Sequence, residues 1–267
     1  MDAGLGTILS AAAPYALAMS RVAGLVVVAP MLSSISVPTM VRALVAASMA
    51  LAAYPAASAG VPGLRLDLAG LLPVIASETL VGACIGMIAS LPMLALQIGG
   101  HVAGFQMGLS IASIYNPDYD AQSDALGELL FYVGFFAFLS AGGLEAAFGS
   151  LLVTFERVPL GGLSLVGAPL EAYAELLGAG FEVALRVSAP ATAMVFLVMV
   201  AMGFVMKTMP QLNVMSVGFA VKIVLGLLAT ATALAAIGHV ADGYTGQVWD
   251  ALFDWVSAPV GATGGED

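Results

Sequence analysis

Apolar residues run along this chain in long blocks, separated by short connections rich in Pro, Gly and charge. Six blocks are long enough to enter or cross a bilayer, singly or after bending: about residues 7–30, 40–56, 66–99, 126–153, 172–206 and 214–240. A helix needs about 20 apolar residues to cross the hydrocarbon core. By that measure the second block is marginal, and the third and fifth exceed one plain span. The fifth carries Glu171, Glu175, Glu182 and Arg186 in its first half. It predicts a turn or two of amphipathic helix followed by a strongly apolar part, 187–206. The pattern predicts an all-α integral membrane protein, with about six apolar helical segments, several of them bent or broken into hairpins.

Pro and Gly punctuate these blocks. Pro14, Pro30, Pro73, Pro92 and Pro190 lie in or at the edge of apolar runs. Each removes a backbone donor and favours a bend or break. Irregular backbone survives at membrane depth only where protein or a watery cavity satisfies it. The helices are therefore expected to pack against other helices more than against lipid. Gly82 and Gly86 are four apart, as are Gly100, Gly104 and Gly108. Residues four apart share a helix face, so these glycines predict grooves for close helix packing.

Composition strengthens the membrane reading. Of 267 residues, 61% are hydrophobic and 9% charged, with a mean hydropathy of +1.03. Soluble domains carry about 25% charged residues, so this chain cannot cover itself with a water-compatible surface. The net charge of −10 comes from seven basic against seventeen acidic residues. No basic stripe is present, which excludes nucleic acid as a partner class. The single cysteine, Cys84, sits in an apolar run and is expected to behave as a small hydrophobe. The start, Met1-Asp2, lacks the basic region of a signal peptide, and the first segment is expected to be retained. Arg65 and Arg157 on one side balance Arg42 and Lys207 on the other, so the positive-inside count gives no orientation. One helical membrane domain is expected over 1–241. Residues 242–267, with Trp249, Phe253 and Trp255 among acids, are expected to form an interfacial segment and a flexible tail.

Catalytic chemistry has little to work with. The histidines are His101 and His239, and there is no HExxH, CxxC or P-loop. No metal or cofactor is implied, and no enzymatic activity is expected. Gly108-Leu109-Ser110 matches part of a serine nucleophile turn, but Ala112 replaces its closing glycine. More informative are ionisable residues in or beside apolar runs: Arg21, Glu78, Glu128, Glu145, Arg186 and Lys222. Each costs about 2.5–3.5 kcal/mol to bury on insertion scales, and so needs a partner or a water path. A proton relay would gather such groups at one depth. Their scatter favours ion pairs within the protein or with a neighbouring subunit, as does Arg42 at the edge of the second block.

The most distinctive stretch is residues 99–117, GGHVAGFQMGLSIASIYNP. It is apolar, holds four glycines and ends in Asn-Pro, a turn signal. Acidic Asp118, Asp120 and Asp124 follow. It suits either a compliant loop or half-helix inside a pore, or a helix end with a tight connection.

Several motifs, in order, carry a resemblance. GFQMGLSIASIYNP at 104–117 resembles the FliR family's Gln-Met-Gly-Leu-Ser segment. MPQLNVMSVGFAVKI at 209–223 resembles the opening of that family's last long helix. Arg21 with Ala29-Pro30, then Pro38 and Arg42, is similar to the family's opening. ETLVGACIG at 78–86 and Pro159-Leu160-Gly161 are similar to its third segment and middle loop. The chain departs from the family at Asn116, where an acid is usual, and at 142–145, which read Gly-Gly-Leu-Glu. The resemblance implies a subunit of the inner-membrane export gate of a flagellar or virulence type III secretion system. It implies FliP-like and FliQ-like neighbours, FlhB-like and FlhA-like apparatus proteins, and unfolded substrates in transit. It also implies bent hairpins packed in a helical assembly. The strip 104–117 would then be a plug loop, with Gly104, Phe105, Gln106, Met107, Gly108, Leu109, Ile111, Ile114 and Pro117 gating the pore.

Two other classes compete. A small-solute secondary transporter would show an inverted repeat and a polar cluster at mid-depth, and neither is visible. An intramembrane protease would depend on Ser110 with His239 as its base.

Overall fold

The computed structural model describes residues 2–29, 38–58, 68–109, 125–158, 160–161, 170–209 and 214–257. Its regular elements are α-helices: α1 (Asp2–Val28), α2 (Thr39–Ser58), α3 (Leu68–Met107), α4 (Ala125–Ser140), α5 (Gly143–Arg157), α6 (Leu170–Thr208) and α7 (Val214–Ser257). Four contain stretches long and apolar enough to cross a membrane: Thr39–Ser58, Leu72–Met107, Ala172–Thr208 and Val217–Ala235. The fold is that of an all-α membrane protein.

The blocks map onto these helices with instructive differences. Most of the prolines in the apolar blocks lie inside helices, and Pro30 lies outside the described residues. Pro14, Pro55 and Pro190 lie inside α1, α2 and α6, and Pro73 and Pro92 lie inside α3. The fourth block breaks between α4 and α5. There Gly142 takes φ +74, left-handed backbone that a side chain disfavours. The fourth block is therefore two short helices. The third block runs on past residue 99 to Met107, and the fifth is one helix of 39 residues. Helix α7 continues through 241 to Ser257. At 1.5 Å per residue, α3, α6 and α7 are each roughly twice as long as the hydrocarbon core is thick.

The chain forms two compact units. The first comprises Met1–Ser90, Gly142–Ala174 and Val248–Asp267, and the second comprises Leu91–Ala141 and Glu175–Gln247. In the first unit, α1 lies against α2, whose buried side is an alanine stripe, Ala46, Ala50, Ala53 and Ala57. Tyr15 Oη–H donates to the Ala47 carbonyl at 3.1 Å. Helix α1 also crosses α3 at backbone contact. A Cβ placed on Gly82 would stand 1.7 Å from the Arg21 carbonyl oxygen, and one on Gly24 would stand 2.1 Å from that of Thr79. Small residues let helix backbones approach this closely where lipid supplies no hydrophobic drive.

The second unit packs in the same manner. Gly100 faces the Gly127 Cα of α4 at 2.8 Å for its would-be Cβ, and Gly99 faces Ala184 of α6. A cluster of Ala103, Met107, Leu126, Ala191, Val195 and Ala229 joins α3, α4, α6 and α7. Helix α6 leaves a broad apolar face uncovered, including Phe196, Leu197 and Phe204.

Gly82→Ala should force α1 and α3 apart and lower the thermal stability of the detergent-solubilised chain, by about 1–3 kcal/mol or more, the usual cost of overpacking. Gly149→Ala in α5 meets open space and should be neutral or slightly stabilising, because alanine is the better helix former. Thermal unfolding of the two variants checks the contrast.

Candidate functional site

Two places in the chain concentrate unusual physics: the ions inside the first unit, and the glycine-rich end of α3 in the second. Arg21 on α1 and Glu78 on α3 are both 0% exposed. The α1–α3 glycine crossing sets them side by side, one helical turn from Gly24 and Gly82. Arg21 Nε–H donates to Glu78 Oε2 at 2.6 Å. The guanidinium fork is then used further. Nη1–H donates to Thr154 Oγ1 at 3.1 Å and Nη2–H to the Val158 carbonyl at 3.2 Å. Its plane sits over the Phe155 ring, with Cζ 4.4 Å from the centroid. The second Glu78 oxygen, Oε1, accepts the Gly161 N–H at 2.8 Å.

The pair thus ties α1 and α3 to the C-terminal end of α5 and the turn beyond it. Taking two charges out of water is expensive, and attraction offsets that cost only with good geometry and satisfied remaining donors and acceptors. Here each guanidinium nitrogen and each carboxylate oxygen has at least one partner. Lysine could not substitute for Arg21, since it offers a point charge where a planar fork reaches three acceptors and a ring. Sequence reasoning singled out both ions, named Gly161 only within the middle-loop motif, and missed Thr154, Phe155 and Val158. Thr154, four residues after Ser150 on an otherwise apolar face of α5, was the available signal.

The other ionisable candidates lie elsewhere. Glu182 and Arg186 pair with each other one turn apart on α6, at 2.6 Å, with side chains 63% and 56% exposed. They form a surface pair, not a buried one. Glu128 and Glu145 are exposed, and Arg42 and Lys222 are partly exposed on α2 and α7. Among the described residues no three or more His, Cys, Asp or Glu stand together as metal ligands.

At the end of α3 the backbone is helical through Met107. Gly108 then adopts φ +86. The N–H groups of Gly108 and Leu109 both donate to the Gly104 carbonyl, at 3.1 and 3.0 Å. This is a glycine-capped helix end. Gly104 is buried, while Phe105, at 67% exposed, and Gln106 face outward. Met107 is 0% exposed and belongs to the core cluster, and Leu109 packs partly against it. Ile111, Ile114 and Pro117, like Ser110, lie outside the described residues. Gly82 and Gly86 face α1 and Gly100 faces α4, each at a close backbone approach.

Long apolar helices joined by glycine contacts, with buried charge consumed inside the fold, define a helical integral membrane protein. The chain belongs to the bacterial export proteins, family 1, whose family model matches residues 12–248. It is 33% identical to the flagellar biosynthetic protein FliR of Bacillus subtilis (strain 168) over 179 residues, 66% of this chain and 69% of that one. It is 26% identical to the FliR of Escherichia coli (strain K12) over 240 residues, covering 89% and 90% of the two chains. It is also 27% identical to the Yop proteins translocation protein T of Yersinia pestis over 213 residues, 78% of this chain and 80% of that one.

Arg21→Met leaves the Glu78 carboxylate buried without its cation and should destabilise the protein by about 3–5 kcal/mol. Adding Glu78→Leu should recover much of that loss. The double variant nevertheless lacks the acceptor for Gly161. We expect restored thermal stability but faster amide hydrogen exchange over 158–161, and equal loss of stability in single and double variants would refute the pairing.

Proposed function

We propose that this chain is a subunit of the inner-membrane export gate of a flagellar or related type III secretion system. In this reading it forms part of the protein-conducting pore, and residues 104–117 supply the strip that closes it. The names of its relatives, flagellar biosynthetic protein and Yop proteins translocation protein, support both settings. Its neighbours are then FliP-like and FliQ-like gate subunits, with FlhB-like and FlhA-like proteins beside them and unfolded substrates in transit. The uncovered apolar face of α6 is suited to lipid or to such neighbours.

The observation that carries the closing role is the chemistry of the α3 end. A 40-residue apolar helix stops at a glycine cap with Phe105 and Gln106 turned outward, and an apolar strip containing Ile111 and Ile114 follows. An apolar constriction excludes ions by dewetting, with no chemistry at the barrier. Phe105, Leu109, Ile111 and Ile114 would form it until a substrate pushes them aside. Met107, expected from sequence among the blocking side chains, faces the core instead, because α3 is still helical there and its inward face is occupied by α6 and α7.

Deleting residues 108–117 should leave co-purification with the FliP-like and FliQ-like subunits intact but raise ion conductance across the membrane in the absence of substrate. A deletion variant that assembles normally and stays ion-tight would remove the strip from the closing role.

A further inference from the structure

Met107 is the last helical residue of α3, and its side chain meets α7 at a glycine. A Cβ placed on Gly226 would stand 2.7 Å from the Met107 Cγ and Cε and 2.8 Å from Sδ. The thioether therefore lies lengthwise on bare α7 backbone, and no rotation of its tip alone would admit a methyl group. Met107 is wholly buried, and Leu109, just past the glycine cap, packs against the same cluster with Ile223 of α7. Residues on both sides of Gly108 are thus gripped by one apolar cluster, while Phe105 and Gln106 on the opposite face are free of it.

We propose that Met107 and Gly226 form the fixed seat of the gate strip: Met107 is a positioning residue that pins the start of the strip to α7 and does not itself face the pore. This rests on the gate reading above. It makes the α3–α7 contact, and with it the steric bareness of position 226, the feature that holds the closed arrangement. A side chain at 226 must unseat Met107, and the closed state then loses the contact that an open state need not make. A ligand or strain shifts such an equilibrium only through its differential effect on the two states.

The test uses the complete gate, this chain assembled with its FliP-like and FliQ-like subunits, reconstituted in vesicles of phosphatidylethanolamine and phosphatidylglycerol. Ion leak and the amount of assembled complex are read together. Gly226→Ala should raise leak about tenfold, which corresponds to about 1.4 kcal/mol taken from the closed state, with normal assembly. Alanine favours helix more than glycine does, so the defect cannot arise from α7 itself. Gly218→Ala, whose Cβ would meet Met202 at an ordinary 3.7 Å, should leave the gate tight. Met107→Ala should leak similarly, and the double variant no more than either single, because both break one contact. If Gly226→Ala fails to assemble, Met107→Ala carries the test. A tight Met107→Ala gate, or additive leak in the double variant, overturns the seat. If those variants are tight while the 108–117 deletion leaks, the seat fails and the gate reading stands. If the deletion is tight as well, the gate reading fails and the seat with it.

Discussion

A guanidinium and a carboxylate in one apolar fold must find each other and must leave no donor or acceptor unmet. The organisation of the first unit follows from that demand. Arg21 and Glu78 reach contact only because α1 and α3 cross at Gly24 and Gly82 with backbones touching. The remaining valences of the pair then dictate what else packs there: a threonine hydroxyl, a phenylalanine face, a carbonyl at Val158 and an amide at Gly161. Pro159 turns Val158 into extended backbone and ends helix α5 there, and its last turn and the following residues serve as the pair's outer ligands. Its C-terminal Val158 N–H still reaches the Thr154 carbonyl, closing the helix beside the ion.

The two units solve the same problem by different means. Without water to drive apolar surfaces together, helices in a membrane protein gain by close packing and by internal polar bonds. The first unit uses both. The second relies on shape: glycines at 99, 100, 134, 180 and 226 receive backbone or side chains from facing helices. A long-range buried polar tie there is aromatic, with Tyr244 Oη–H donating to the Leu176 carbonyl at 2.7 Å over Gly180. A fold held by shape tolerates few enlargements at its contacts. It also leaves the face away from the contacts, as over Phe196, Leu197 and Phe204 of α6, apolar and open to whatever surrounds it.

For a chain in the bacterial export family, this division has a mechanical meaning. The α3 end, from which the proposed closing strip departs, is held by apolar packing and a glycine cap. Apolar seats can be vacated and refilled without unpairing a buried charge. The ion-locked first unit has no such freedom, since separating Arg21 from Glu78 would strand two charges.

Much of this was legible in residue order. Helicity, membrane residence and the special status of Arg21, Glu78, Gly82 and Gly100 follow from hydropathy, spacing and the cost of burying charge. These are local quantities, sums and periods over neighbouring residues, and so the chain carries them openly. The locations of bends were less legible. Prolines mark where a donor is missing, but α3 and α6 continue through theirs, whereas the break at Gly142 needs only one left-handed residue. Partnership was not legible at all. Arg21 bonds residues 57, 133 and 137 positions away, and Met107 rests on a glycine in the last helix. Which ion meets which, and whether an apolar side chain faces a core or a pore, depends on the angle and register at which whole helices cross. Those are set by the packing of every contact at once, and only the tertiary structure decides them.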